Sequence, residues 1–274
     1  MGYNGKAMKI GIFDSGLGGL FITKSLVKDL PQYDYVYLGD TQRVPYGNRS
    51  SEAVYQFLKE AVNYLFEHDC ELIIVACNTA SACASLRKIQ KEYLPRHYPK
   101  RRVLGIILPT AESAMADTRT KRIGVLATQG TVNSEAYIRE VRKISPSAKV
   151  FQQAAPLLVP LIESNGIEFA KPILRSYLSP LKKRNIDTLI LGCTHYPILK
   201  KQIGKICGKD VRVISQDEII SEKVKDYLKR HPEIDEKLEK KRRRQFLVTD
   251  LTPTIKLLSK KWFGSKIELK VISL

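Results

Sequence analysis

Three observations predict an α/β fold made of two similar halves with mostly parallel sheets. Short apolar runs alternate with amphipathic stretches along the 274 residues, the rhythm of strand–helix units. Most of the runs are continuous Ile, Val and Leu rather than alternating, as in strands covered by helices on both faces. The third observation is an internal repeat. KIGIFDSG at 9–16 is echoed by RIGVLATQ at 122–129, and ELIIVACNT at 71–79 by DTLILGCTH at 187–195. A weaker echo joins YVYLGD at 35–40 to KVFQQA at 149–154. Three pairs in one order, at a nearly constant offset of roughly 115 residues, indicate two units of one architecture.

The elements follow in order. Lys9–Phe13 is an apolar strand, and the amphipathic stretch Gly18–Lys28 follows as a helix. Tyr35–Leu38 is a second strand, Glu52–Glu67 a helix, Leu72–Ala76 a third strand and Ala80–Glu92 a helix. Val103–Ile107 closes this series as a strand. Ile123–Leu126 and Val150–Gln152 are strands separated by the helix Ser134–Lys143. Glu168–Lys182 is a helix, Thr188–Leu191 a strand and Pro197–Ile206 a helix. Val211–Ile214, Phe246–Val248 and Ile267–Val271 are the last strands, with a helix at Asp217–Leu228. The change of unit is expected in the charged, proline-containing stretch Pro95–Arg102, and the second unit ends near Lys209. The first domain is therefore taken as 1–98 plus 210–274 and the second as 99–209. The segment from Val211 has no partner in the repeat and is expected to pack back on the first unit.

Composition narrows the function. Hydrophobic residues make up 43% and charged residues 27%, ordinary for a soluble globular chain. No stretch approaches the roughly 18 uninterrupted apolar residues of a membrane helix, and the N-terminus carries no apolar signal region. A cytoplasmic protein without membrane contact is expected. Five cysteines, at 70, 77, 83, 193 and 207, are odd in number and do not space like a disulfide framework. Cys77 and Cys83 fit no zinc knuckle, so no metal is expected. The net charge of +18, from 46 Lys and Arg against 28 Asp and Glu, favours anionic partners. Yet the basic residues are scattered, and the densest run, Lys237 to Arg244, has no interleaved aromatics. It reads as a solvated surface.

Ligands of open α/β sheets bind beyond the carboxyl ends of the strands. Four polar motifs fall there: Asp14-Ser15-Gly16, the loop Gly39–Gly47, Cys77-Asn78-Thr79, and Cys193-Thr194-His195. Each cysteine follows an apolar strand and precedes a helix, a placement that lowers a thiol pKa from about 8.5. Asn78, Thr79, Thr194 and His195 bring donors suited to a carboxylate. A buried cysteine is otherwise a small hydrophobe, but here the placement recurs in both halves. Two equivalent thiols suit a reaction of near mirror symmetry. One base removes an α-proton, and the other supplies one to the opposite face. Such chemistry commonly uses a cofactor as electron sink. Gly16-x-Gly18-Gly19 misses the dinucleotide spacing, and no cofactor is expected. Asp14 and His195 are candidates for tuning the thiols, with a helix cap and a structural histidine as the plainer readings. In the loop, Arg43, Tyr46 and the amide of Gly47 could meet an anion.

At these motifs the sequence resembles the aspartate/glutamate racemase family. The matching segments are IGIFDSGLGGL at 10–20, YLGDTQRVPYG at 37–47, VACNTASA at 75–82 and LGCTHYP at 191–197. PLLVPLIE at 156–163 and FLVTD at 246–250 are also similar. The resemblance implies that Cys77 and Cys193 are the acid/base pair. It places Asp14, Ser15, Tyr46, Gly47, Asn78, Thr79, Thr194 and His195 around the substrate, in a cleft between two pseudosymmetric α/β domains. It further implies glutamate as substrate, D-glutamate for peptidoglycan as product, and a homodimer. Contact with nucleic acid or DNA gyrase is implied only as a side activity. The sequence departs from the family pattern at Ala155, at Leu108–Thr110 and at Ile214–Glu218. Three alternatives stay open: aspartate as substrate, a hydrolase using Cys193 and His195, and a nucleic-acid binder.

Overall fold

Among the described residues the apolar runs form ten strands in two parallel sheets. The computed structural model describes residues 8–82 and 84–274; the N-terminal residues 1–7 and Cys83 lie outside the described residues. The strands are β1 (Lys9–Asp14), β2 (Tyr35–Gly39), β3 (Cys70–Val75), β4 (Arg102–Gly105), β5 (Arg122–Ala127), β6 (Lys149–Ala154), β7 (Thr188–Gly192), β8 (Arg212–Ile214), β9 (Arg244–Val248) and β10 (Leu269–Val271). The six-stranded sheet runs β10-β9-β2-β1-β3-β4, and the four-stranded sheet β6-β5-β7-β8. The order β2-β1-β3-β4 is thus repeated as β6-β5-β7-β8, strand for strand with the sequence repeat. β1, β2, β3, β5 and β7 are buried almost throughout, as expected for continuous apolar strands under helices on both faces.

Two strands lie on the other side of the expected domain boundaries. β4 follows residue 98 yet pairs with β3, with Ile74 opposite Leu104. β8 follows residue 209 yet pairs with β7, with Ile190 opposite Ile214. Each is the fourth strand of its own sheet, so the chain crosses over only after it. The crossings are the helices Ile107–Asp117 and Gln216–Arg230. β9 pairs with β2 and β10 with β9, so the C-terminal segment does return to the first sheet.

Several helices are additional to those read from the sequence, and three of them bear on the fold or the site. Ile107–Asp117 begins where the strand at 103–107 was expected to continue. Its Pro109 lies in the first turn, where the lost N–H would have had no helical partner. Leu158–Glu163 is a short helix after β6. Pro253–Trp262 is capped by Thr252, whose Oγ1 accepts from the amide of Ile255 at 3.2 Å. Among the described residues no helix is long and apolar enough to cross a membrane.

One carboxylate ties the second sheet to its crossing helix. Asp187, just before β7, accepts from the Thr118 hydroxyl at 2.6 Å and from the amides of Arg119 and Thr120 at 2.7 and 2.6 Å. Burial pushes its carboxyl up, but these donors outweigh burial and hold it at about 2. The folded value lies below the unfolded value of about 4. Its stabilisation is therefore complete above pH ~4 and fades as the pH falls towards 2. Asp187→Asn should cost about 1–3 kcal/mol at pH 7. Thermal melts should show the gap between wild type and variant narrowing between pH 4 and 2.

Candidate active site

The carboxyl ends of the two sheets face each other. β1 ends at Asp14, β3 is followed by Ala76 and Cys77, β5 by Thr128, and β7 by Cys193. Parallel strands deliver all four points to one side of each sheet, and the halves enclose a cavity between them. It is lined by Ser15, Tyr46, Gly47, Cys77, Asn78, Thr79, Cys193, Thr194 and His195, together with Val44, Pro45, Thr128 and Val159. Its volume is about 20 Å³, room for about one water. Both thiols are buried, at 4% and 5% exposure.

The two sulfurs have unlike neighbours. Cys77 Sγ lies 3.3 Å from Ser15 Oγ and 3.5 Å from the amide of Ala80. Burial pushes the Cys77 thiol up to about 12, and the nearby Asp14 carboxylate adds to this. The Ser15 hydroxyl and the Ala80 N–H pull the other way without prevailing. This corrects the expectation of a thiol lowered by a helix terminus: burial and a neighbouring acid exceed one weak amide bond. Cys77 is followed directly by the short helix Asn78–Ala82, whereas Cys193 is not followed directly by an α-helix. A 3-10 turn at Tyr196–Leu199 comes first. Its sulfur lies 3.7 Å from His195 Nδ1.

The repeat explains the asymmetry. Aligned on the cysteines, Thr79 corresponds to His195, and aligned on the first strands Asp14 corresponds to Ala127 and Ser15 to Thr128. The acid and the imidazole therefore each occur once. Asp14 does not line the cavity. It lies fully buried behind it, accepting from Thr194 Oγ1 at 3.0 Å and from the amide of Gly16 at 3.1 Å. Burial raises its pKa, while His195 and the surrounding hydrogen bonds lower it less. His195 is almost fully enclosed. Burial disfavours its charge, but hydrogen bonds to Cys193 and Glu163 and the charge of Glu163 raise its pKa well above the usual value. The imidazole thus sits beside Cys193 and the carboxyl group near Cys77.

Glu163 is the partner that the sequence motifs did not single out. It ends the helix Leu158–Glu163, and its Oε1 lies 2.7 Å from His195 Nε2. The Trp262 indole meets the imidazole in a T-shaped contact, with centroids 6.0 Å apart. Thr128 was also missed, although the repeat sets it opposite Ser15. Its Oγ1 lies 2.9 Å from Thr79 Oγ1, bridging the halves. Arg43, by contrast, is outside the cavity. Its Nε donates to Asp40 at 2.6 Å, it pairs with Glu60, and it stacks on Phe57 at 4.2 Å. The Tyr46 hydroxyl is likewise committed to Asp40, so the ring and loop of Tyr46, not its hydroxyl, face the site. Among the described residues no three His, Cys, Asp or Glu side chains are grouped to hold a metal ion.

Comparison with known proteins gives the same direction. Residues 17–220 match the family model described as Asp/Glu/hydantoin racemase. A glutamate racemase of Geobacter metallireducens is 40% identical over 260 residues, 94% of this chain and 93% of that one. Among solved structures, a glutamate racemase isoform from Bacillus anthracis superposes with a TM-score of 0.88 at 33% identity, covering 97% of this chain and 98% of the other. The glutamate racemase of Francisella tularensis, solved in complex with D-glutamate, gives 0.85 at 32% identity, covering 97% of each chain.

Proposed function

The chain belongs to the Asp/Glu/hydantoin racemase family and is an amino-acid racemase, and on that premise we propose that it interconverts L- and D-glutamate by proton transfer between Cys77, Cys193 and the α-carbon. The observation that carries this reading is the arrival of both thiols in one cavity from topologically equivalent strands, β3 and β7. A thiolate on one side takes the α-proton and the opposite thiol returns one, the roles exchanging with direction. The two thiols have unlike surroundings: burial and the nearby Asp14 carboxylate hold Cys77 as a thiol, and the His195 ring lies beside Cys193. Glutamate is favoured as substrate by the 40% identical relatives, which carry that name. D-Glutamate for peptidoglycan, a homodimer and a cytoplasmic setting belong to the same reading.

The α-carbon of an amino acid is a weak acid, so charge in the transition state needs donors in a dry site. Ser15, Asn78, Thr79 and Thr194 supply them around a cavity of about 20 Å³. That volume does not hold an amino acid, so the cleft must widen for entry and close on the substrate. The direct test is L-glutamate incubated with protein freed of metal by chelation and given no cofactor, followed by circular dichroism. Decay of the signal to zero is expected. A constant signal, or decay only with D-aspartate or L-aspartate, would overturn the assignment.

The His195–Glu163 pair gives a pH prediction. His195 stays protonated above its ordinary range because Cys193 and Glu163 hold the proton. Glu163→Gln removes the charge and should lower the His195 pKa. The alkaline limb of the kcat/KM profile should move to lower pH. An unmoved limb would remove His195 from the reaction.

A further inference from the structure

Behind Asn78 lies a closed ring of polar side chains. Asn78, Tyr137 and Gln216 are each at most 2% exposed. They come from three separate places. Asn78 directly follows Cys77, Tyr137 belongs to the helix Ala136–Ile144 between β5 and β6, and Gln216 opens the crossing helix that leaves β8. Gln216 also falls in the segment Ile214–Glu218, where the sequence departs from the family pattern.

The hydrogen bonds join the two amides in a reciprocal pair, so that neither can turn without the other. Asn78 Oδ1 accepts from the Tyr137 hydroxyl at 2.7 Å and from Gln216 Nε2 at 2.7 Å. Both of its lone pairs are thereby used. Asn78 Nδ2 donates to Gln216 Oε1 at 3.1 Å. Gln216 Nε2 gives its other proton to the Tyr137 oxygen at 3.0 Å. Turning Asn78 alone would set its NH₂ against the NH₂ of Gln216, leaving donors facing donors. One donor of the set is unspent: among the described residues the second N–H of Asn78 meets no acceptor. In a planar amide that N–H points away from the paired edge, and Asn78 lines the cavity.

We infer that Gln216 and Tyr137 are positioning residues for carboxylate recognition, holding the Asn78 amide with N–H rather than C=O presented to the substrate. The inference rests on the racemase reading above and adds to it how the carboxylate donor is set. A donor in this position bonds an anion, whereas a carbonyl there would repel it. The ring also joins the two halves, because Tyr137 packs within the second unit and Asn78 within the first. The donor is therefore set only when the halves are docked.

A double-mutant cycle tests this, with KM and kcat measured for L-glutamate on Gln216→Leu, Asn78→Ala and the double variant. Gln216→Leu should raise KM about 10-fold or more, the effect of one hydrogen bond to a charged group, with kcat within a few-fold, as for a lost contact present in ground and transition states alike. The double variant should be no worse than Asn78→Ala, since Gln216 acts through that amide. Multiplying losses, or a KM within twofold of wild type for Gln216→Leu, would overturn the inference. Should Gln216→Leu fail to fold, Tyr137→Phe carries the same comparison, with a KM rise of about 3-fold or more expected and an unchanged KM counting against it. Wild-type protein in the same assay separates the two levels: no turnover there defeats the racemase reading itself.

Discussion

Cys77→Ala and Cys193→Ala should each reduce glutamate racemisation about 10³- to 10⁴-fold in both directions, the upper range for a positioned acid or base. Either variant removes one end of the proton path, and the remaining thiol reaches one face of the α-carbon only. The two losses should not multiply in the double variant, because residues acting as a unit are non-additive. Both variants should remain folded, since each sulfur lies at the cavity wall. Alanine also removes a buried thiol, with a modest stability cost. A chiral chromatographic assay from each enantiomer checks this. A single variant keeping a tenth of wild-type turnover would contradict the two-thiol reading, and a loss confined to Cys193→Ala would favour a Cys193–His195 hydrolase-like site instead.

Gly18→Ala should lower kcat/KM about 100-fold or more without unfolding the chain. Gly18 has ordinary backbone angles, φ −59° and ψ −33°, so conformational freedom is not its purpose. Its purpose is space. A Cβ there would lie 2.4 Å from Thr194 Oγ1, 2.7 Å from His195 Nδ1 and 2.8 Å from the Thr194 carbonyl carbon. Two of the three obstacles are site groups and the third is backbone, so the clash is relieved by holding the halves apart. Misplacement of reacting groups by about 1 Å can cost about 10²-fold. Thermal stability should fall little, because the methyl meets the cleft rather than a packed core. Thermal melting alongside kinetics checks this, and near-normal kcat/KM would mean that the halves need not approach so closely. Gly47 is a parallel case, its added Cβ lying 2.7 Å from Thr128 Cβ.

Strands were the legible part of the sequence because their burial on both faces forces continuous apolar runs. The helix Pro253–Trp262 does carry a local signal, Thr252-Pro253, a cap followed by proline in the first turn. Ile107–Asp117 was hidden because its first residue continues an apolar strand. The cysteine motifs and their polar followers were readable as ends of buried strands. Thr128 is legible in the repeat as the mate of Ser15. Glu163, Tyr137 and Gln216 carry no local signal: Glu163 reaches His195 from a separate element of the second unit, and Tyr137 and Gln216 meet Asn78 only when the two halves dock. Arg43 misled because its charge suits an anion, while its real partners, Asp40 and Glu60, are fixed by the fold. The Cys77 pKa was read in the wrong direction for a similar reason. A helix terminus is visible in sequence, whereas complete burial beside Asp14 is not.

The central claim, two thiols working from opposite faces, is tested most directly by the first turnovers of L-glutamate in D₂O. Product and remaining substrate are separated by hand and the isotope at each α-carbon is measured by mass spectrometry. The account predicts deuterium in nearly all of the early D-glutamate, delivered by the second thiol, while the recovered L-glutamate still carries hydrogen. Early D-glutamate that retains the original hydrogen would mean that one base carries the proton across, and the two-thiol account would be wrong.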